Sequence, residues 1–279
     1  MRYGVLADSL RILLFALVLC AAGAAACASA QEGGAYSRVI DIEGVGSIRY
    51  YAQNDPVWAR SIYEDSRNGN YRTMMGSGCG PTAAAMALAR QLTGEELARL
   101  NEHTSRPDRG FPFCTCSVNE LRDSEGHTFF RPVTGESFIH FLPVIIASYA
   151  TGNNDVREKF RTEGPGTSYK LFRALCGTLG LQYEPYGQWE DVCAALERGE
   201  SVITTVTKGV FTTSSHYLFL AGVTGGYLYI LDPFMRESYP DDKRQLLEVV
   251  EPGLVRVRLE DVDRLGLSGY YAMRRGGEP

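Results

Sequence analysis

The sequence predicts an α+β fold, with helices in the N-terminal half packed on an antiparallel sheet from the C-terminal half. Three observations carry that expectation. Gly80 to Leu92 is a run of strong helix formers, opened by Gly78-Cys79-Gly80-Pro81-Thr82. Beyond Gly199 the pattern changes to short apolar runs at Ser201 to Thr207, Tyr217 to Val223, Tyr227 to Leu231 and Gly253 to Leu259. Gly225-Gly226 separates two of these runs and reads as a hairpin turn.

The first thirty residues lie outside that fold. Arg2 and Arg11 precede and open an apolar stretch, Ile12 to Leu19, and small residues lead to Ala28-Ser29-Ala30. This is the pattern of a signal peptide over 1–30, and it predicts an exported protein, secreted or held at the cell envelope. The apolar stretch is shorter than the roughly 20 residues a membrane-spanning helix needs. Cys20 and Cys27 raise lipid anchoring, but Ala24-Ala25-Ala26 before Cys27 is not a leucine-led approach, so a lipoprotein is the lesser alternative. Losing Arg2, Arg11 and Asp8 with the leader moves the net charge from −5 to −6. A mildly acidic chain without a basic patch argues against nucleic acid as a partner. Residues 31–47 read as a lead-in and 48–279 as one well-cored domain, with no further segment apolar enough to span a membrane.

Along the domain, Val39 to Tyr51 alternates as two short strands around Gly44-Val45-Gly46. Gln53-Asn54-Asp55-Pro56 breaks it, Val57 to Ile62 reads as a short helix, and Asp65 to Asn70 as a loop. After the Gly80 to Leu92 helix, Thr93-Gly94-Glu95-Glu96 is a capping box that starts a second helix. An irregular insertion runs from about 103 to 164, with Phe138 to Tyr149 as a strongly apolar, buried stretch. Gly164 to Ser168 precedes an amphipathic helix, Tyr169 to Leu175, closed by Gly177 and Gly180. Leu181 to Tyr186 reads as a strand and Gln188 to Arg198 as a helix ending at Gly199. The chain beyond Phe234 completes the sheet through Leu254 to Leu259 and Tyr270 to Met273, and carries no assigned chemistry.

The chemistry centres on Cys79. Proline is favoured at the first helical position, so Pro81 places Cys79 at or just before a helix N-terminus, where unpaired N–H groups and the macrodipole stabilise a thiolate. Flanking glycines leave room for a substrate carbonyl. By itself such a cysteine is more often structural than catalytic, so its partners decide. Of the four histidines, His216 sits where a loop enters an apolar strand, and Asp232 ends the strand that follows. Fifteen residues intervene, enough for two strands and a tight turn, so the hairpin brings the start of one strand beside the end of the next. Outside the leader five cysteines remain: Cys79, Cys114, Cys116, Cys176 and Cys193. An odd count allows one free thiol with up to two disulfides, or five reduced thiols, with Cys176 read as a small buried hydrophobe.

Four motifs then occur in order: Gln53-x-Asp55-Pro56-x-Trp58-Ala59, Ser77-Gly78-Cys79-Gly80-Pro81-Thr82, Ser215-His216-Tyr217 and Asp232-Pro233. In them the sequence resembles the C39-like peptidases, a family of papain-fold cysteine peptidases, over residues 48 to 235 apart from the insertion. The resemblance implies Cys79 as nucleophile, His216 as base, Asp232 as its orienter and Gln53 as a donor to the oxyanion, with the Cys79 N–H as second donor. It implies a papain-like fold, a peptide or other amide-containing substrate, and neither metal nor organic cofactor. Two alternatives stand beside hydrolysis: transfer of the same acyl group to an amine, and a binding module that keeps the fold without catalysis.

The insertion departs from the family pattern and reads as a lid, a specificity wall or a docking surface. His103, His127, Cys114 and Cys116 raise a zinc site there, but Cys-x-Cys is tighter than usual zinc-ligand spacing, so disulfides or plain loop cysteines are preferred. Tyr149, Tyr183, Tyr186 and Phe211 read as core before cleft lining, Trp58 as packing beneath the site, and Thr82 as a helix N-terminal residue. Ser77 and Ser215 read as makers of local turn bonds.

Overall fold

The short apolar runs pair into one antiparallel sheet of seven strands in a computed structural model, which describes residues 36–60, 62–64, 72–100, 139–152, 166–239 and 245–276. In chain order the strands and helices begin with β1 (Arg38–Ile42), β2 (Gly46–Tyr50), β3 (Ile62–Glu64), β4 (Arg72–Thr73), α1 (Met74–Ser77), α2 (Cys79–Gln91) and α3 (Gly94–Leu97). They continue with α4 (Leu142–Gly152), α5 (Lys170–Leu179), β5 (Leu181–Tyr186), α6 (Trp189–Glu197), β6 (Ser201–Thr207), β7 (Ser215–Thr224) and β8 (Tyr227–Leu231). Last come β9 (Glu248–Glu251), β10 (Leu254–Arg258), a 3-10 helix over Leu259–Leu265, and β11 (Leu267–Arg275).

The sheet order is β5-β11-β6-β7-β8-β10-β9, with β1-β2 and β3-β4 as separate two-stranded pairs. The β7–β8 turn is Gly225-Gly226, with φ of 58° and 80°. Positive φ at both central residues is what a tight hairpin turn demands and what glycine supplies without strain.

Period-two alternation divides the sheet between two cores. Ile203, Phe219 and Leu231 join a core that also holds α2, α4, α5 and the β1–β2 hairpin. Val202, Val206, Leu218 and Leu220 join a second core with Val192, Ala195 and Leu196 of α6. Ala83 to Leu88 of α2 are all buried, as expected of a helix that is apolar around its circumference. Its alanines let the helix axis lie close to β6, β7 and β2. Helices with an antiparallel sheet make the fold α+β.

Several local expectations change. Val57 to Ile62 is not a helix: a single turn forms as the Asp55 carbonyl accepts from Trp58 N–H and Ala59 N–H at 3.0 and 2.7 Å. The turn stops because the Ala59 carbonyl is taken by Met75 N–H at 3.0 Å, and Ile62 enters β3 instead. Gly177 lies inside α5, and Gly180, with φ of 73°, ends it. The strand pair β3–β4 and strand β9 have no counterpart in the sequence reading. Thr93 forms the expected capping box with Glu96. Of the insertion, only 139–152 falls among the described residues, where α4 is buried. His103, His127, Cys114 and Cys116 lie outside them, as do the leader and residues 31–35 of the lead-in. Cys176 and Cys193 carry no disulfide. No described helix is long and apolar enough to cross a membrane.

Candidate active site

The residues singled out in the sequence enter the site from four places in the chain. Cys79 is the first residue of α2, with Gly78 as its N-cap. Pro81 is therefore the third helical residue and not the first; its missing N–H still falls in the turn where N–H groups have no helical partner. Glycine before Cys79 is required by space: a side chain at Gly78 would run into the Met74 carbonyl, and one at Gly80 into Thr167.

His216 is the second residue of β7 and is buried, 7% exposed. Its Nε2 lies 2.7 Å from Asp232 Oδ1, across the hairpin closed by Gly225-Gly226. Cys79 lies close enough to act electrostatically on the same ring, and with Nε2 committed to Asp232, Nδ1 is the nitrogen left to face sulfur. Imidazole and carboxylate are thus joined directly, with the thiol as their neighbour in the row.

Asp232 is fully buried, and its carboxylate is held from four directions. Oδ1 accepts from His216 and from Phe234 N–H at 2.8 Å. Oδ2 accepts from the Tyr239 hydroxyl at 2.8 Å and pairs with Arg236 Nε at 3.2 Å. Arg236 in turn lies over the rings of Phe234 and Tyr239. The backbone of Asp232 is fixed as well, through Tyr50 Oη to its carbonyl and its own N–H to the Gly253 carbonyl, both at 2.9 Å.

These contacts set the charges. Burial opposes an imidazolium at His216, but Asp232 and then Cys79 outweigh it and raise the ring from 6.5 to about 10. Burial likewise opposes the Asp232 carboxylate, but His216, Arg236 and the Phe234 N–H hold its pKa below the usual carboxylate value. Burial, then Asp232, pushes the Tyr239 phenol up, so it remains a hydrogen-bond donor. Elsewhere, burial raises the Cys176 thiol to about 12 and shifts Cys193 upward.

Gln53 is also buried, 4% exposed, in the segment that follows β2. Its Nε2 donates to the Met75 carbonyl in α1 at 2.7 Å, while its Oε1 finds no partner among the described residues. The segment is stitched to the loop after Asp232: Gln53 N–H donates to the Pro233 carbonyl at 2.7 Å. The Asn54 amide pairs with both backbone groups of Met235, each at 2.9 Å. Trp58 is fully buried beneath this loop and donates to the Ala52 carbonyl at 2.8 Å, the packing role expected of it.

Asn54, Arg236, Tyr239 and Tyr50 were not singled out in the sequence. An arginine four residues after Asp232 was a usable signal; Tyr239 offered none. Thr82 is buried in the first turn of α2 with its hydroxyl unpartnered among the described residues. Ser77 is buried in α1 and Ser215 is exposed at the start of β7. Tyr149 and Phe211 are buried in the cores, whereas Tyr183 and Tyr186 are half-buried beside them. No group of three or more metal-binding side chains occurs among the described residues.

No protein-family model matches the sequence, and no curated protein matches it either. Among solved structures, a crystal structure of a proposed C39-like peptidase from Bacillus anthracis is similar at 15% identity and a TM-score of 0.38. The match covers 86% of this chain and all of that one. A likeness this loose carries no argument about fold or chemistry.

Proposed function

We propose that this protein is a cysteine peptidase, or a related amide- or ester-cleaving hydrolase, with a papain-like arrangement of the C39-like kind. The observation that carries the reading is the row of Cys79 thiol, His216 ring and buried Asp232 at the N-terminus of α2. Cys79 Sγ, as thiolate beside the His216 imidazolium, attacks the substrate carbonyl, and the electron pair of the C=O bond moves onto oxygen. Asp232 accepts from Nε2–H and so keeps Nδ1 aimed at sulfur. The oxyanion receives Gln53 Nε2–H, whose second hydrogen is not committed to Met75, and the Cys79 N–H.

As the tetrahedral species collapses, the C–N bond breaks and the amine leaves with the proton from His216 Nδ1. Neutral His216 then takes a proton from water, whose oxygen attacks the thioester. Collapse releases the carboxylic acid and restores thiolate and imidazolium. We read residues 1–30 as a cleaved leader and the mature protein as exported, so that N-terminal sequencing of material from the producing cell should begin at Gln31.

The deciding experiment is brief iodoacetamide treatment at about pH 6, followed by peptide mass spectrometry, because only a thiolate alkylates quickly there. Cys79 should label ahead of Cys176 and Cys193, and the preference should vanish in His216→Ala. Cys79 labelling no faster than Cys193 in the unaltered protein overturns the reading. Turnover of a peptide library, with Cys79→Ala as control, then separates hydrolysis from transfer and from simple binding.

A further inference from the structure

Five large apolar side chains are exposed among the described residues: Val39, Met75, Tyr169, Val249 and Val250. Two of them are linked to the start of α2, one along the chain and one through Thr167. Met75, 49% exposed, lies four residues before Cys79, and its carbonyl holds Gln53. Tyr169, 47% exposed, joins α2 through Thr167. Thr167 packs against Gly80 so closely that no side chain fits there, shares a hydrogen bond with the Tyr63 hydroxyl at 2.7 Å, and accepts from Tyr217 Oη at 2.9 Å. Tyr217 follows His216 in the chain and lies within electrostatic reach of Cys79.

The Tyr169 ring does not hang loose. It stacks on Tyr271 with 1° between planes and 5.5 Å between centroids, and Tyr271 faces Tyr183 at 12° and 6.5 Å. Phe172 braces the stack from below, tilted against Tyr271 at 5.6 Å and edge-on to Tyr217 at 5.1 Å. The outermost ring is therefore fixed in place yet nearly half exposed. A rigid, pre-ordered aromatic face binds with little ordering cost and favours another flat ring in offset stacking over an aliphatic chain. Distance fits a peptide. Tyr217 lies 6.5 Å from Tyr271, and Tyr271 5.5 Å from Tyr169. Measured from Tyr217, three residues of an extended chain at about 3.3 Å each, plus the reach of a side chain, cover those two ring-to-ring steps.

Resting on the reading of Cys79 as nucleophile, we infer that the Tyr169–Tyr271–Tyr183 stack is a substrate subsite that selects an aromatic side chain of a peptide. The test uses acetylated tripeptidyl chloromethyl ketones that carry phenylalanine, leucine or alanine in turn at each position. The thiolate displaces chloride, and the second-order rate at Cys79 is read by mass spectrometry.

At one position the phenylalanine probe should label about three- to tenfold faster than its leucine and alanine counterparts, the range expected of one stacked ring pair. That ratio should fall to about one in Tyr169→Ala and be kept in Tyr169→Phe and in Val250→Ala. No preference at any position, equal rates for leucine and phenylalanine, or a preference that survives Tyr169→Ala overturns the subsite. Failure of every probe to distinguish Cys79 from Cys193 is a different result: it removes the nucleophile, and the subsite with it.

Discussion

The two ends of the Cys79–His216–Asp232 row are built in opposite ways. At the Asp232 end every acceptor position is filled and the group is fully buried. At the Cys79 end the thiol is partly open, and Gln53 has one amide oxygen unpartnered among the described residues. A buried polar atom without a partner destabilises the fold, while a buried carboxylate with four donors is costly to disturb. One end is thus complete without a substrate, and the other keeps a buried amide oxygen with no donor among those residues. Substitutions at the Asp232 end should cost stability and rate together, whereas those at the Gln53 end should cost rate alone.

The hardest blow to either end is His216→Ala. Hydrolysis of a peptide reporter should fall by up to about 10⁶, the order seen when a member of a catalytic unit is removed. Asp232→Asn should lower kcat by about 10⁴, since the carboxamide offers the wrong partner to the imidazole. Breaking this buried pair should also lower unfolding stability by about 3–5 kcal/mol in urea titrations. An Asp232→Asn protein as stable as the parent breaks the contrast at its strong end.

Gln53→Met keeps the volume and removes the amide. The rate should drop by about 10²–10³ through loss of an oxyanion donor. The unfolding free energy from urea titration should change by less than about 1 kcal/mol, because one lost hydrogen bond is offset by the loss of an unpartnered oxygen. A large stability loss here means that Gln53 is structural. Tyr239→Phe is the gentlest of the four: about 1.5–3 kcal/mol of stability for a hydrogen bond to a charged group, with kcat kept within about tenfold by the three remaining contacts.

The pH dependence sharpens the same contrast. The folded pKa of His216 is raised from 6.5 to about 10, so its contribution to stability is whole below 6.5 and fades as pH rises through about 10. The Asp232 pKa is lowered, so its contribution is present above the ordinary carboxylate value and is lost as pH falls through the lower folded value. Activity should show an alkaline limb near 10. Because Cys79 is one of the groups that raise His216, imidazole titration by NMR should move to lower pH in Cys79→Ala.

Much of the row was legible in the sequence because its determinants are local. Two glycines fix the turn that sets His216 against Asp232, and a Gly-Cys-Gly-Pro run fixes the helix start at Cys79. The role proposed for Gln53 rests on resemblance alone, since nothing near it in the chain marks a donor. The four-fold hold on Asp232 was not readable, because Tyr239 and Arg236 act through a loop with no periodic pattern. The helix expected over Val57 to Ile62 failed for a related reason: its carbonyl at Ala59 is claimed by Met75, a tertiary contact that local propensity does not contain.

The stitch between Gln53-Asn54 and Pro233–Met235 has a temporal side. A ribosome makes Cys79 long before it makes residue 235, and until then Gln53 and Asn54 have nothing to close against. His216 without Asp232 is an ordinary histidine. Every nascent or truncated chain that stops short of Asp232 therefore lacks the carboxylate that closes the row, and under the proposed reading the capacity to cut arrives only with the last strands of the sheet.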